Sequence, residues 1–283
     1  MALCYHEAKK CTLDLQLRSL GSVLSERDIK VLLIDWLFDK NIIEDAVIIN
    51  EMVVANWSRR ADIAVANGRL YGFEIKSQLD TLKRLPGQIE SFQEHFDKVI
   101  VVAASKFIKS IEKQYPAEIG ILEVFVEAGR PRLRQIRAGR IREVKDTAKL
   151  TSLITKSEIE RFLKSAGVPL VSGGSRADLI QKCSSQSLQK LRGYVLECIK
   201  GRYSESFEAF LSERKFRSTE DCLELLSKST VHRVNLERQL ATFGSEYKST
   251  PKAEKPLNLS ALGGDSEVFG FEMPQSVLVR RRT

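Results

Sequence analysis

Apolar residues recur at helical spacing near the start of the chain and form a strand-like run directly after it. Ser25 is followed three positions later by Asp28, which is the pattern of an N-terminal capping box. The apolar positions that follow at helical spacing are Ile29, Leu32, Leu33, Trp36 and Leu37. This spacing predicts a helix over residues 26–39, and the β-branched run after it predicts a strand over 46–54.

A hairpin comes next, and its loop length decides where two acidic residues lie. Strand-like segments at 61–65 and 69–76 flank residues 66–68, Ala-Asn-Gly, which form a strong turn signal. Side chains alternate between the two faces of a strand, so a one-residue change in loop length exchanges the faces. A two-residue loop would put Asp62 and Glu74 on opposite faces.

A three-residue loop, with Gly68 in the left-handed conformation, separates apolar from polar residues. This loop pairs Val65 with Arg69. One face then carries Ile63, Val65, Tyr71, Phe73 and Ile75. The other face carries Asp62, Ala64, Gly72, Glu74 and Lys76. We therefore predict the three-residue loop, which gathers two acids and a lysine over a floor of small residues.

The segments after the hairpin continue to alternate between helix and strand. Pro86 suits the first turn of a helix, and the continuous apolar run at 98–103 is typical of a central strand buried on both faces. Further predicted elements are a helix over 105–115 and strands over 120–126 and 132–136. The order α-β-β-β-α-β-α-β-β predicts an α/β domain over residues 1–137, with helices on the faces of its sheet.

The second half of the chain has a different character. Residues 138–152 are charged and without clear periodicity, so a domain boundary is predicted there. Residues 153–242 are predicted to be a mostly helical domain. In residues 243–283 Ser, Gly, Pro and Lys dominate, which predicts a disordered tail.

Composition narrows the classes of partner and compartment. The chain has 45 Lys and Arg against 37 Asp and Glu, a net charge of +8, which favours polyanions such as nucleic acid. Its five cysteines are odd in number and form no CxxC pair, so neither a disulfide framework nor a zinc site is predicted. Without a signal peptide or an apolar run of about 18 residues, the protein is expected to be soluble and cytoplasmic, with no membrane partner.

The hairpin carries a resemblance to a known superfamily. Asp62, followed after the turn by Glu74-Ile75-Lys76, resembles the motif of the PD-(D/E)XK, or restriction-endonuclease-like, nucleases. The next helix carries Gln88, which is similar to an additional glutamine motif of several branches. The resemblance implies a mixed sheet flanked by helices.

The resemblance covers about residues 26–137. Within it, Ile49–Ala103 is similar to a small bacterial and phage branch of the superfamily. Ala61 stands where the superfamily's name has proline, a departure that is frequent among its members.

The resemblance implies metal-dependent phosphodiester hydrolysis of nucleic acid, with DNA favoured. Asp62, Glu74 and the backbone carbonyl of Ile75 would bind Mg²⁺, for which Mn²⁺ would substitute, because hard cations prefer oxygen ligands. Lys76 would assist the attacking water, and Gln88 would position the lysine, the water or a phosphate.

Several further residues are candidates with open alternatives. Glu51 interrupts an apolar strand, so it is either a third metal ligand or an exposed edge-strand residue. Arg60, Lys83 and Arg84 are near the motif in sequence and are predicted to contact phosphate, although a solvated turn explains Lys83 equally well.

Residues 155–184 are similar to a SAP-type helix-extended-helix unit, in which Lys164, Arg176 and Lys182 would meet phosphates. A plain helical hairpin packed on the first domain is the competing interpretation. For the whole chain, the alternative to a nuclease is a catalytically silent nucleic-acid-binding or interaction protein.

Overall fold

A computed structural model describes residues 23–54, 59–171 and 173–227, together with the backbone of 254–256 and 276–278. The described residues up to Ser227 belong to one compact unit, and the two short tail segments belong to another.

A six-stranded mixed sheet forms the centre of the first unit. Its strands are β1 (Val47–Val54), β2 (Arg59–Ala66), β3 (Leu70–Lys76), β4 (Lys98–Ala104), β5 (Gly120–Glu127) and β6 (Arg130–Arg137). They lie in chain order across the sheet; β3, β4 and β5 are parallel, and the other neighbours are antiparallel. The predicted α/β fold and its order of elements are therefore confirmed.

Helices flank this sheet and fill the second half of the unit. They are α1 (Glu26–Asp39), α2 (Leu85–Gln93), α3 (Ser105–Gln114), α4 (Thr147–Ser152), α5 (Lys156–Ser165), α6 (Arg176–Ser184), α7 (Leu188–Glu213), α8 (Thr219–Cys222) and a 3₁₀ turn (Leu223–Leu226). Ser25 caps α1 in the predicted capping box. Helix α4, capped by Asp146, was not predicted, because six residues are too few to show a helical period.

The β2–β3 register differs from the predicted one by two residues. Val65 pairs with Tyr71, not with Arg69, and the connecting loop consists of residues 67–69. The Asn67 amide donates to the Arg69 carbonyl at 3.0 Å, and Gly68 has a φ of +90°, so the glycine adopts the predicted left-handed conformation. A shift of two residues leaves every side chain on its predicted face.

The face of the sheet that carries Glu74 is covered by the segment that follows β3. Gly72 lies under the ring of Phe96, and a Cβ at this position would come within 2.8 Å of that ring. Phe96 and Phe92 are both fully buried and meet edge to face at a centroid distance of 5.3 Å. Only glycine lets the chain after α2 pack this closely on the sheet.

A buried carboxylate fastens the helical segment to the sheet. Asp97 is 4% exposed; it accepts hydrogen bonds from the Leu70 amide at 3.0 Å, the Val144 amide at 3.1 Å and the Arg192 guanidinium at 2.9 Å. Helix α7, which carries Arg192, also packs on β1 and β2. The boundary predicted at 138–152 therefore does not separate two bodies, because the helices complete the core of the sheet.

Little of the predicted tail is described. Three-residue strands β7 (Glu254–Pro256) and β8 (Ser276–Leu278) pair antiparallel, and the rest of 243–283 lies outside the described residues. Among the helices of the described residues, none has the length and apolar character needed to cross a membrane.

The Asp97 contacts predict strong coupling between the sheet and the helical segment. Replacing Asp97 by Ala removes the buried carboxylate next to Arg192 and leaves two amides without their partner, so we expect the free energy of unfolding to fall by about 3–5 kcal/mol. Glu143→Ala is the control: it removes a half-exposed carboxylate 3.9 Å from the same arginine and should cost at most about 1 kcal/mol. Urea unfolding monitored by circular dichroism measures both; two separate transitions would contradict a single unit.

Candidate active site

The site begins where strands β2 and β3 part. Their last paired residues are Ile63 and Phe73, and one step further Asp62 lies directly across from Glu74. There the Asp62 carboxylate accepts a hydrogen bond from the Ile75 amide at 2.7 Å, which satisfies an amide that the separating strand leaves without a backbone partner. The shifted register thus brings the two predicted acids closer together than the predicted register did.

Glu74 is the centre of a buried polar cluster. It is 2% exposed, and its Oε1 accepts from Lys76 Nζ at 2.6 Å and also from Gln88 Nε2 on α2. Its second oxygen, Oε2, is buried and has no hydrogen-bond partner, and the same is true of Gln88 Oε1. The structure therefore brings together all four residues predicted to be catalytic and leaves two oxygens available to a ligand.

Both carboxyl groups resist ionisation in this environment. Burial and the charge of Glu74 raise the pKa of Asp62 to about 7. Burial also raises the pKa of Glu74 above its usual value, and the nearby Lys76 and Gln88 only partly offset this effect. A cation between the two carboxylates would stabilise their charged forms and lower both pKa values.

The donor set fits a hard divalent cation with few protein ligands. The described residues contain no group of three or more His, Cys, Asp or Glu side chains placed to hold a metal. Mg²⁺ keeps several of its waters and is commonly held by one or two carboxylates, so Asp62 and the free Oε2 of Glu74 suffice. The Ile75 carbonyl as a further ligand stays a prediction.

Glu51 lies across from Asp62 in the β1–β2 register, but its carboxylate is bound by two basic residues. Its φ is +62°, in the left-handed region that non-glycine residues rarely adopt, and its carboxylate makes ion pairs with Lys30 at 3.3 Å and Arg60 at 3.1 Å. In this arrangement Glu51 acts as an electrostatic neighbour of the site, and a role as third ligand would require both ion pairs to break.

Sequence reasoning missed Lys30 and Glu26 on α1. Lys30 is 5% exposed and bonds Glu26 at 2.9 Å; burial alone would lower the pKa of Lys30, but this bond and the surrounding carboxylates, Asp62 among them, raise it above its usual value. The available signal was a lysine between Ile29 and Val31, four residues after a glutamate. A buried cation in an apolar helix face requires a partner of opposite charge.

Several basic residues lie close in sequence to the residues of the site. Lys83 and Arg84, just before α2, are exposed, as the phosphate-contact prediction requires. Arg60 is exposed as well but is held by Glu51. A fourth residue, Arg59, was not predicted: its guanidinium lies beside Gly87 in α2, close in sequence to Lys83 and Arg84.

The helix-extended-helix segment forms as two capped helices, α5 and α6, that pack on each other. However, Arg176 donates to the carbonyls of Thr151 at 2.7 Å and Ile154 at 2.8 Å, and Lys182 donates to the Pro169 carbonyl at 2.8 Å. Both side chains thus bind backbone carbonyls of the protein itself, and their predicted contacts with phosphate stay predictions.

Lys164, the third predicted phosphate contact of this segment, is exposed. The hydrogen bonds of Arg176 and Lys182 favour the competing interpretation, a helical hairpin packed on the core.

The raised pKa of Asp62 makes a prediction for the metal-free protein. Because the pKa is about 7 in the folded state and near 3.8 when unfolded, the folded state binds the proton more tightly, so stability falls as pH rises from about 4 to 7. In EDTA, Asp62→Asn removes this penalty while keeping an acceptor for the Ile75 amide. We expect it to raise the free energy of unfolding at pH 8 by up to about 4 kcal/mol, or about 1.4 kcal/mol per pKa unit.

Urea titrations at pH 5 and pH 8 measure this difference. The advantage of Asp62→Asn should be smaller at pH 5 than at pH 8. Equal stabilities of the variant and the original protein at both pH values would contradict a desolvated, repelled carboxylate at this position.

Comparisons with known proteins place the chain in a family. The family model described as bacteriophage P4 protein cII matches residues 21–227. Protein cII of Enterobacteria phage P4 is 40% identical over 239 residues, which are 84% of this chain and 88% of that protein. A solved structure, the SPO1766 protein of unknown function from Silicibacter pomeroyi, is 18% identical and covers 50% of this chain and 88% of its own, but its TM-score of 0.30 supports no conclusion about fold or function. The chain belongs to the family of bacteriophage P4 protein cII.

Proposed function

We propose that the protein hydrolyses phosphodiester bonds of nucleic acid, with DNA as the favoured substrate, in a reaction that depends on Mg²⁺ or Mn²⁺. One observation supports this proposal above the others: Glu74 is buried with a lysine and a glutamine on one oxygen and nothing on the other. A buried charge that is only half satisfied is costly for a structural residue, and it is the arrangement that a ligand site requires.

Each side chain of the cluster would have a separate role in the reaction. Asp62 and Glu74 would hold the cation at the point where β2 and β3 end their pairing. A bound Mg²⁺ would supply a water of lowered pKa and would neutralise charge on the phosphate. The Lys76 ammonium, 2.6 Å from Glu74, would orient the attacking water and stabilise the charge that develops on the phosphoryl oxygens.

Gln88 has a positioning role in this scheme. Its amide nitrogen is bound to Glu74 Oε1, so its carbonyl oxygen is fixed on the inner side of the cluster, where it is buried and without a partner. That oxygen is placed to accept a hydrogen bond from the attacking water or from the Lys76 ammonium. Because Gln88 lies on α2, the helix sets the distance between the water and the sheet.

Electrostatics support a polyanionic substrate. The chain carries a net charge of +8, and Arg59, Lys83 and Arg84 are exposed close to α2, the helix that carries Gln88. Such residues attract phosphates without reading base sequence. Their contribution to affinity falls as the salt concentration rises, because counterions released from the nucleic acid then gain less entropy. In the helix-extended-helix segment Lys164 is exposed, whereas Arg176 and Lys182 bind backbone carbonyls, so most of the phosphate contacts are assigned to the first half of the chain.

Loss of either a metal ligand or the lysine should abolish cleavage. We expect the full-length protein to cut linear, circular, branched or single-stranded DNA in Mg²⁺ or Mn²⁺ and not in EDTA. Asp62→Asn, Glu74→Gln and Lys76→Ala should each lower the rate by about a hundredfold or more, since each removes a charge that acts on the reacting phosphate. Gel assays with RNA in parallel test the preference for DNA.

Glu127→Gln is the matched control, because it neutralises an exposed carboxylate at the far end of β5 and should keep full activity. Binding of DNA without cleavage in every metal would point to the catalytically silent nucleic-acid-binding alternative. Absence of binding at low salt would point to an interaction protein.

Cation binding is measurable without turnover. A metal that binds only the folded protein at a hundredfold excess over its Kd adds about 2.7 kcal/mol of stability. For a chain of this size we expect Mn²⁺ to raise Tm by about 5–10 °C. Glu74→Gln should lose this rise, and thermal unfolding scans with and without Mn²⁺ measure it; an equal rise in the variant would place the cation elsewhere.

A further inference from the structure

An exposed leucine stands beside the candidate site and has no part in the proposed chemistry. Leu79 follows Lys76 by three residues, so their Cα atoms are at most about 11 Å apart. Its side chain is 76% exposed, while Ser77 in the same turn is 4% exposed. An isolated exposed leucine is unremarkable on most surfaces, so the two features described next are what make this one informative.

The first feature is that the turn holding Leu79 is rigid. The Asp80 amide donates to the Ser77 carbonyl at 3.2 Å, and the Asp80 carboxylate accepts from the Ser77 amide at 2.8 Å and from the Ser77 hydroxyl at 2.6 Å. Lys106 on α3 donates to the carbonyl of Gln78 from outside the turn. The polar groups are used to fix the turn, and the apolar side chain is left pointing away from the protein.

The second feature is the charge around this turn. Lys83 and Arg84, four and five residues after Leu79, are exposed and carry positive charge, as does Arg59 near Gly87. A protein partner that buried Leu79 would have to approach through these cations. A nucleic acid fits better, because it offers phosphates to the cations and apolar base faces to the leucine.

We propose that Leu79 is a wedge that inserts between stacked bases next to the cleaved bond, so that the enzyme acts on duplex DNA that it opens locally. This inference rests on the proposed function for the position of the scissile phosphate. Apolar side chains are known to unstack base steps in this way, and a turn that is already rigid loses little entropy when it inserts. Phosphate contacts by the neighbouring cations would hold the duplex while the step opens.

Unstacking is observable without cleavage. A duplex oligonucleotide with 2-aminopurine at successive positions, titrated with the full-length protein in Ca²⁺ and no Mg²⁺, should brighten at one position when the protein binds. At protein concentrations that saturate binding by fluorescence anisotropy, Leu79→Ser and the size-matched Leu79→Gln should lose this signal, and Leu79→Met should restore it. Phe216→Ser is the control, because it removes an equally exposed apolar side chain, 82% exposed, from the turn between α7 and α8.

Cleavage gives the second readout. In Mg²⁺, we expect both polar variants to lower the ratio of intact-duplex cleavage to cleavage of the same sequence with a mismatched bubble by about tenfold, since opening a step costs a few kcal/mol. Unchanged brightening and an unchanged ratio in both polar variants would overturn the wedge and leave the nuclease intact.

The two proposals fail separately. Brightening that depends on Leu79, without cleavage in any metal, would support the wedge and overturn the nuclease. A wild-type protein that binds the duplex without brightening at any position, or that does not bind it, would overturn the wedge. Circular dichroism of each variant tests whether the turn substitutions leave the fold unchanged.

Discussion

The hydrogen bond from the Ile75 amide to the Asp62 carboxylate is the contact on which the site depends. Two antiparallel strands cannot separate without leaving backbone groups unpaired, and an unpaired buried amide costs about 1–3 kcal/mol. The Asp62 side chain takes the place of the missing strand partner, so the strands can part while Asp62 remains across from Glu74. The two acids of the buried polar cluster therefore share one position at the end of the β2–β3 pairing.

The site thus contains several features that destabilise the folded protein locally. The cluster combines two acids whose pKa values are raised by burial, an unsatisfied glutamate oxygen and a residue, Glu51, with a left-handed backbone. Elsewhere the apolar core of the described unit is continuous, and the buried Asp97 has a partner for each of its oxygens. Strain and unmet charge that concentrate at one position are typical of functional sites.

The sequence predicted the fold, and its errors in register and in side-chain partners have physical causes. Face alternation identified the shared face of Asp62, Glu74 and Lys76, but it is insensitive to a two-residue shift, so the pairing of Val65 was wrong. The carbonyl partners of Arg176 and Lys182 were not predicted, because charge alone does not reveal whether a carbonyl lies within reach. Lys30 was missed because a long-range partner is invisible in a local pattern.

The position of Asp97 has a consequence for how this protein can be divided. Its partners come from three separate stretches of chain: β3, the segment before α4, and α7. A fragment that ends with β6 would keep the carboxylate and lose two of the groups that neutralise it. The half of the chain that holds the sheet therefore cannot fold as an autonomous module in another protein, and any exchange of parts between relatives must carry the sheet and the long helix together.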